Sequence, residues 1–513
     1  MRFLGKSLDV NLTDGKTDVS EFSGDMGRKF LGGRGLNAWL LYQNVGKDIH
    51  PLESRNVLIL SCGLLTGTAA PAVKAYIRKI KSSPRFQRFS TYGIAGAVNA
   101  CNEMGVLATR NYRSVRFEDA DRISGEKLHE YVTRSKSCYR CPVHCKADIR
   151  IDHGRFAGSE GGRPELESVI DLGSRCGLND AAALLYLCNL CNRLGLDTVS
   201  TGGVIAFAMD LYDRGILTLE DTGGINLTWG NDEAMETLIY QIVHREGLGG
   251  LLSHGVRGAA RLLGRGSERF AYHVKGLELT GYDPRGLMGT ALGYAVSPRG
   301  GDFTSIYATA EYRWSPDRAE EELGDQRAVD RLSPAGKGAL IRRAMIVSAV
   351  LDSLGLCKVP VLTLIGDFDL KNEAALTASL TGWSVDSEDL LRIGERIVNV
   401  ERLFNLRNGA GVRDDRIPEK FIEEAIDEGP GEGHTVELEP MLRDFYRVMG
   451  WNETGYPSEE RLTALDLFEV SQRVTKQMAK VGKERQEASQ LYLPAGSRSS
   501  AVEKRKESSR TRG

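Results

Sequence analysis

Three cysteines crowd into eight residues, in Ser137-Cys138-Tyr139-Arg140-Cys141-Pro142-Val143-His144-Cys145. A Cys-x2-Cys-x3-Cys spacing lets one loop present three thiolates to a single inorganic centre, because two or three intervening residues suffice to turn successive side chains inward. With nine cysteines, an odd count, in a chain of 513 residues, a disulfide framework of the kind that staples small secreted domains does not explain the cluster. Metal ligation does.

A [4Fe–4S] cube and a structural zinc site each need one more ligand than the loop supplies. Cys62, Cys101, Cys176, Cys188, Cys191 and Cys357 are the cysteines left to provide it. Cys188 and Cys191 lie three apart on a helix-like segment and read equally well as small core residues. Cys357 ends Asp352-Ser353-Leu354-Gly355-Leu356-Cys357, beyond an apolar helix closed by Gly355 and Pro360, where a thiol can project into a cleft. His144, inside the loop, reads as a hydrogen-bond donor to the ligands or a surface group rather than a ligand, and the eight histidines do not cluster, so a His-rich metal site is not indicated.

Charge and hydropathy narrow the remaining classes. Lys+Arg 67 against Asp+Glu 69 gives a net charge of -2, without the basic excess of a bulk nucleic-acid binder. No uninterrupted apolar run approaches the roughly 18–20 residues that cross a bilayer. Met1 to Val10 lacks the apolar core and small-residue cleavage site of a signal peptide, so the expected location is the cytoplasm.

The pattern predicts an α+β chain that is mostly α. Phe3 to Asn11 and Lys16 to Phe22, separated by Asp14-Gly15, form a β-hairpin. Asn56 to Ser61 is a buried-strand candidate, and Gly32-Gly33-Arg34-Gly35 feeds a helix starting near Leu36. Phe86 to Met104 is broken by glycines. Helices are expected at Asp180 to Leu194, Gly202 to Arg214, Asp232 to Glu246, Gly338 to Leu354, Asp389 to Leu406 and Leu462 to Val481, with Asp180 and Asp232 as caps. The polar stretch Gly496 to Gly513 reads as a disordered tail.

Two helix ends share one motif, Asn192-Arg193-Leu194-Gly195-Leu196-Asp197 and Asp352-Ser353-Leu354-Gly355-Leu356-Cys357. If they face each other they make a polar clamp for a planar heterocycle; otherwise they are two unrelated helix stops. Glu165 and Glu167 suit proton transfer if buried, or simply cap a helix. Asp283 and Arg285 hold a ligand or each other. Gly32-Gly33-Arg34-Gly35 offers amides and a guanidinium without Rossmann or P-loop spacing.

Taken together, the chain resembles the tungsten-containing aldehyde:ferredoxin oxidoreductases. The resemblance rests on Lys29-Phe30-Leu31-Gly32-Gly33-Arg34-Gly35-Leu36, Leu65-Thr66-Gly67-Thr68, Tyr92-Gly93-Ile94-Ala95-Gly96, the cysteine loop, Pro164-Glu165-Leu166-Glu167, Gly195-Leu196-Asp197, Tyr282-Asp283-Pro284-Arg285-Gly286, and Asp352 to Cys357. Their order and types agree from the start of the chain to about residue 480. The resemblance implies a β-rich first domain as base for a tungsten or molybdenum bis-pterin, covered by two helical domains. The corresponding boundaries are 1–84, 85–271 and 272–480, with 481–513 as the tail. It implies that Cys138, Cys141, Cys145 and Cys357 hold a [4Fe–4S] cluster. It further implies that Arg34, Gly35, Asn192, Gly195, Asp197, Asp352, Gly355 and Leu356 contact the pterins, and that Glu167 stands near the metal. An aldehyde or related carbonyl compound would become a carboxylic acid, with electrons leaving through the cluster to ferredoxin or another electron carrier. A homodimer is left open.

Two departures stand out. Only Ala69 to Thr91 joins segments that the family separates by a substantial block of sheet and loops, so much of the cofactor's cradle is expected to be absent. Phe303 occupies a position where the family often has a proton-carrying His; Asp302 then takes that role, or the substrate is not a simple aldehyde, as for related tungsten enzymes that reduce aromatic thioesters. The alternatives are an iron–sulfur electron-transfer or scaffold protein that has lost the pterin, and a non-catalytic remnant.

Overall fold

The structure is a computed structural model that describes residues 5–22, 24–70 and 74–472. Lys6–Val10 and Thr17–Glu21 form the expected antiparallel hairpin, with Leu8 opposite Val19 and Val10 opposite Thr17. Period-two alternation puts Leu8, Val10 and Val19 on one face. That face is uncovered: Leu8 is 62% exposed and Val19 67%.

The buried strand expected at Asn56 to Ser61 is not there. The segment lies outside every strand, with Leu58 and Leu60 85% and 86% exposed. A strand forms only against a neighbour whose N–H and C=O groups complete its ladder. Among the described residues no such neighbour reaches it, which agrees with the short connection between residues 69 and 91. These apolar residues are written for a sheet interior that the first domain does not build.

The first domain is fastened to the body by helices and by a backbone clasp. Gly24–Phe30 and Gly33–Asn44 are two helices broken at Leu31-Gly32, the second starting three residues before the expected Leu36. Gly33 adopts φ 43° where a Cβ would meet the carbonyl oxygen of Asp352 at 2.4 Å, so only glycine fits this first turn. After the extended segment, the amide of Leu64 donates to the Ser353 carbonyl (3.0 Å) and that of Leu65 to the Leu354 carbonyl (2.8 Å).

Helices make up most of the rest. Phe86–Tyr92 and Val98–Glu103 are separated by a 3-10 turn, with Gly93 at the break, as its sequence implies. Val132–Lys136, Lys146–Arg150 and Glu160–Gly162 form a three-stranded antiparallel sheet. Ala181–Leu194 begins at the expected cap, the Asp180 carboxylate accepting from the Ala183 amide at 2.8 Å. Thr198–Asp213 starts four residues earlier than expected, because Asp197 caps it. Asp232–His244 is capped by Asn231 rather than Asp232. Lys337–Leu354 is the central helix, buried along nearly its whole length against Ser387–Arg407, Leu438–Met449, Met288–Val296 and Gly33–Asn44. Ser387–Arg407 begins on a capping box of Asp386 and Asp389. Of the helix expected over Leu462 to Val481, only Glu459–Ala464 and a turn from residue 468 fall within the description; the remainder and the expected tail lie outside the described residues. Among the described residues no single helix is long and apolar enough to cross a membrane.

The clasp is tight enough to test. A Cβ on Gly63 would meet the Gly355 nitrogen at 2.2 Å, whereas one on Gly24 meets nothing within 4 Å. Gly63→Ala should therefore cost about 1–3 kcal/mol, read as a lowered thermal midpoint, with Gly24→Ala near neutral. Equal midpoints for the two variants would contradict the clasp.

Candidate functional site

A cavity of about 1070 Å³ lies where the turn at residues 65–68, the cysteine loop and the segment after the central helix meet. It is at the upper end of the roughly 300–1,000 Å³ of ordinary small-molecule sites. Cys138, Cys141, Cys145 and Cys357 all contribute to its wall.

The cysteine loop is the tip of the hairpin between Val132–Lys136 and Lys146–Arg150. Arg140 and His144, the residues before Cys141 and Cys145, both have φ 56°, and these left-handed positions re-aim the chain. Val143 is fully buried and anchors the loop, and the Arg163 guanidinium donates to the Cys145 carbonyl at 2.7 Å and the Thr91 carbonyl at 2.6 Å. Cys357 arrives from the other side, two residues past Gly355, whose φ of 76° closes the central helix. Its side chain is open to the cavity yet ringed by protein, and burial, followed by Cys145, Cys141 and Cys138, pushes its thiol up to about 11. Burial also raises Cys141 and Cys145.

This donor set fits an iron–sulfur cluster. Four thiols within electrostatic reach of one another resist ionising together, and a cationic centre removes that penalty by binding them as thiolates. Among the described residues no three His, Cys, Asp or Glu side chains gather tightly enough to share one ion. A [4Fe–4S] cube takes one thiolate at each of four separate corners, the number of cysteines that this cavity wall presents.

Beside Cys357 runs a network of charges. Arg34 donates through Nε and Nη2 to the Glu401 carboxylate, each at 2.8 Å, and through Nη1 to Asp352 at 3.3 Å. Lys358 Nζ donates to Asp352 Oδ2 at 2.8 Å and to the Thr304 carbonyl at 2.5 Å. Burial works against the Arg34 charge, but Glu401 and Asp352 outweigh it and hold the guanidinium above its ordinary value. Burial lowers Lys358 despite Asp352. Gly35 contributes its amide to Ser353 Oγ at 2.9 Å. Asp352, Gly355 and Leu356 thus line the cavity, while Arg34 and Gly35 stand behind them.

Glu167 lies in the first turn of the helix Leu166–Leu172 and reaches the wall; burial raises its carboxyl, and the charge of Asp302 adds to the effect. Glu165 is paired with Lys146. Phe303 forms part of the wall, its ring tilted against those of Tyr282 (4.8 Å) and Tyr307 (5.3 Å).

Other expected residues are placed elsewhere. Asp302 is off the wall: its carboxylate accepts from the Thr304 amide, Thr304 Oγ1, Ser305 Oγ and Arg299, capping the turn Phe303–Ile306. Burial opposes its charge, but these partners hold the carboxyl below its ordinary value, which ill suits a proton carrier at neutral pH. Asn192, Gly195 and Asp197 are exposed and also off the wall, so only one of the two matching helix ends meets the cavity. Asp283 and Arg285 hold each other at 2.7 Å in the core. Cys188 and Cys191 are buried within their helix, as core residues. Sequence reasoning missed Lys358 and Glu401. The only signal was Lys358 following Cys357; nothing near Glu401 points to Arg34, 367 residues away.

Glu167 gives a pH test. Its folded value is raised above the unfolded one, near 4.5, so its contribution to stability is fully present below that pH and is lost as pH rises through the folded value. Glu167→Gln removes the titration. Wild-type and variant midpoints should therefore diverge in the variant's favour from about pH 4.5 upward, and a pH-independent difference would contradict the raised carboxyl.

Comparison with known proteins supplies a context for this geometry. The chain is 38% identical over 402 residues to the tungsten-containing aldehyde ferredoxin oxidoreductase of Pyrococcus furiosus, and 36% over 407 residues to that of Thermococcus kodakarensis. Each alignment covers 77% of this chain, which spans 63% of the length of those relatives. An aliphatic sulfonate oxidoreductase, WOR-like subunit, from Pyrococcus furiosus is 27% identical over 419 residues, 78% of this chain and 61% of that one. Among solved structures, the active-site complex BamBC of benzoyl coenzyme A reductase, in complex with 1,5-dienoyl-CoA, superposes with a TM-score of 0.71 at 18% identity. It covers 93% of this chain and 98% of that one, a likeness of fold alone. The family model for aldehyde ferredoxin oxidoreductase domains 2 and 3 matches residues 71–467, and that for the N-terminal domain matches residues 7–108. With the match running through the cysteine loop, the central helix and Cys357, the chain belongs to the aldehyde ferredoxin oxidoreductase family.

Proposed function

We propose that this protein oxidises an aldehyde to a carboxylic acid at a tungsten or molybdenum bis-pterin. Aldehyde and water yield acid, two protons and two electrons, and the electrons leave through a [4Fe–4S] cluster to ferredoxin or a similar carrier. The observation that carries this reading is the convergence of four thiols and a raised carboxyl on one cavity. Cys138, Cys141, Cys145 and Cys357 hold the cluster. Asp352, Gly355 and Leu356 contact the pterin, with Arg34 and Gly35 keeping that helix end in place.

The metallopterin, when bound, supplies the two-electron redox chemistry. The chain's own share is position, exclusion of water and proton handling. Glu167, its proton held more firmly by burial than in water, is the group that takes or returns a proton at its carboxylate oxygens. Tyr282, Phe303 and Tyr307 make that side of the cavity apolar, which limits competing water. Lys358, tied to Asp352 and to the Thr304 carbonyl, fixes the chain next to Cys357.

Anaerobically purified protein should carry about four iron atoms and one tungsten or molybdenum per chain. Cys357→Ala should lose most of the iron while keeping its far-ultraviolet circular dichroism. Absence of both metals from the wild-type protein sinks the reading. Iron without tungsten or molybdenum would instead favour an iron–sulfur electron-transfer protein, the alternative suggested by the uncovered strand residues of the short first domain.

A further inference from the structure

Five cationic side chains line the cavity: Arg85, Lys146, Arg299, Arg313 and Lys358. Three are neutralised. Lys146 pairs with Glu165, Arg299 with Asp302 at 3.1 Å, and Lys358 with Asp352 at 2.8 Å. Among the described residues, Arg85 and Arg313 have no carboxylate partner, and Arg313 Nε is buried without any hydrogen-bond acceptor. A guanidinium donor left without an acceptor away from water is costly, and two unpaired guanidiniums on one wall repel. Burial, and then the charge of Arg313, hold the Arg85 guanidinium below its ordinary value, so the two charges lie within electrostatic reach of each other.

The pair is also tied to the proton-handling part of the cavity. Cys101, pushed up to about 12 chiefly by burial, senses both Glu167 and Arg313, as does Tyr312. Cys101, Tyr282 and Tyr312 line the same cavity, and Tyr282 senses Cys101, Tyr312 and Glu167. The cavity thus offers a raised carboxyl, apolar and aromatic lining that senses it, and two guanidiniums without a carboxylate partner.

We propose that Arg85 and Arg313 form an anion subsite for the substrate. The substrate is then a carbonyl compound whose apolar body bears a carboxylate at the end remote from the reacting carbon. A carboxylate matches the guanidinium fork, satisfies Arg313 Nε and relieves the repulsion between the two charges. Arg85, at the exposed rim, meets the anion first, and half-buried Arg313 receives it. This inference rests on the aldehyde-oxidation reading and names its substrate class.

The test compares 4-formylbenzoate with its neutral isostere 4-formylbenzamide. Calorimetric affinity is measured on anaerobically purified full-length protein, and turnover is measured in parallel. Wild type should bind the carboxylate about tenfold or more tightly than the amide, and added salt should erode the difference. Arg313→Gln and Arg85→Gln should each abolish most of that preference while leaving amide binding unchanged, and Arg313→Lys should restore part of it. Equal affinity for the two probes, binding of neither, or a preference that survives both Gln variants overturns the proposal. If the preference holds while neither compound is oxidised, the subsite stands and the aldehyde-oxidation reading falls. If both are oxidised with the same KM and affinity, the reverse is true.

Discussion

The site depends on the backbone clasp between residues 64–65 and 353–354. Two amide-to-carbonyl bonds, and glycines so close that a Cβ on either side collides with backbone or Thr66, bind the first domain to the end of the central helix. That end carries Asp352, Gly355 and Cys357. Orphan carbonyls at a helix C-terminus need partners. Here the partners come from a segment some 290 residues earlier, so closing the helix and closing the cavity are one event. The charged network of Arg34, Glu401, Asp352 and Lys358 reinforces the joint in a partly dry setting, where an unpaired charge is expensive.

Electrostatics divides the cavity into regions with different chemistry. Around the cysteine loop, burial and mutual proximity raise the thiols, a penalty that the proposed cluster would remove by binding them as thiolates. At Glu167, burial without an ion-pair partner raises a carboxyl, whereas Asp302 nearby, surrounded by donors, is held low. Two carboxyls of nearly equal intrinsic acidity are thereby assigned different work, proton exchange for one and capping for the other. The unpaired arginines add a third region, defined by positive charge that the protein leaves unanswered.

What was legible in the sequence was what local spacing determines. The Asp14-Gly15 hairpin, the Gly93 break and the glycine stops at Gly195 and Gly355 all act within a few residues of themselves, and each stands as read. The errors occur where the outcome depends on distant chain. Asn56 to Ser61 carries strand-forming residues but lacks a neighbour. The helix at Gly33 begins early because its glycine fits under the Asp352 carbonyl. The two similar helix ends are indistinguishable in sequence, and only packing decides that one borders the cavity and the other faces solvent. The Arg34 pairs with Asp352 and Glu401, 318 and 367 residues apart, leave no local trace. The resemblance to the family supplied the link between Cys357 and the loop, which spacing alone left open.

The central claim is that Cys138, Cys141, Cys145 and Cys357 act as one set of ligands. Alkylation of anaerobic protein, read cysteine by cysteine by mass spectrometry, tests it directly, with exposed Cys62, off the cavity wall, as the internal reference. The account predicts that the four are protected together and become reactive together when iron is chelated, while Cys62 reacts in both states. Modification of Cys357 at the rate of Cys62, with the other three still protected, would contradict it.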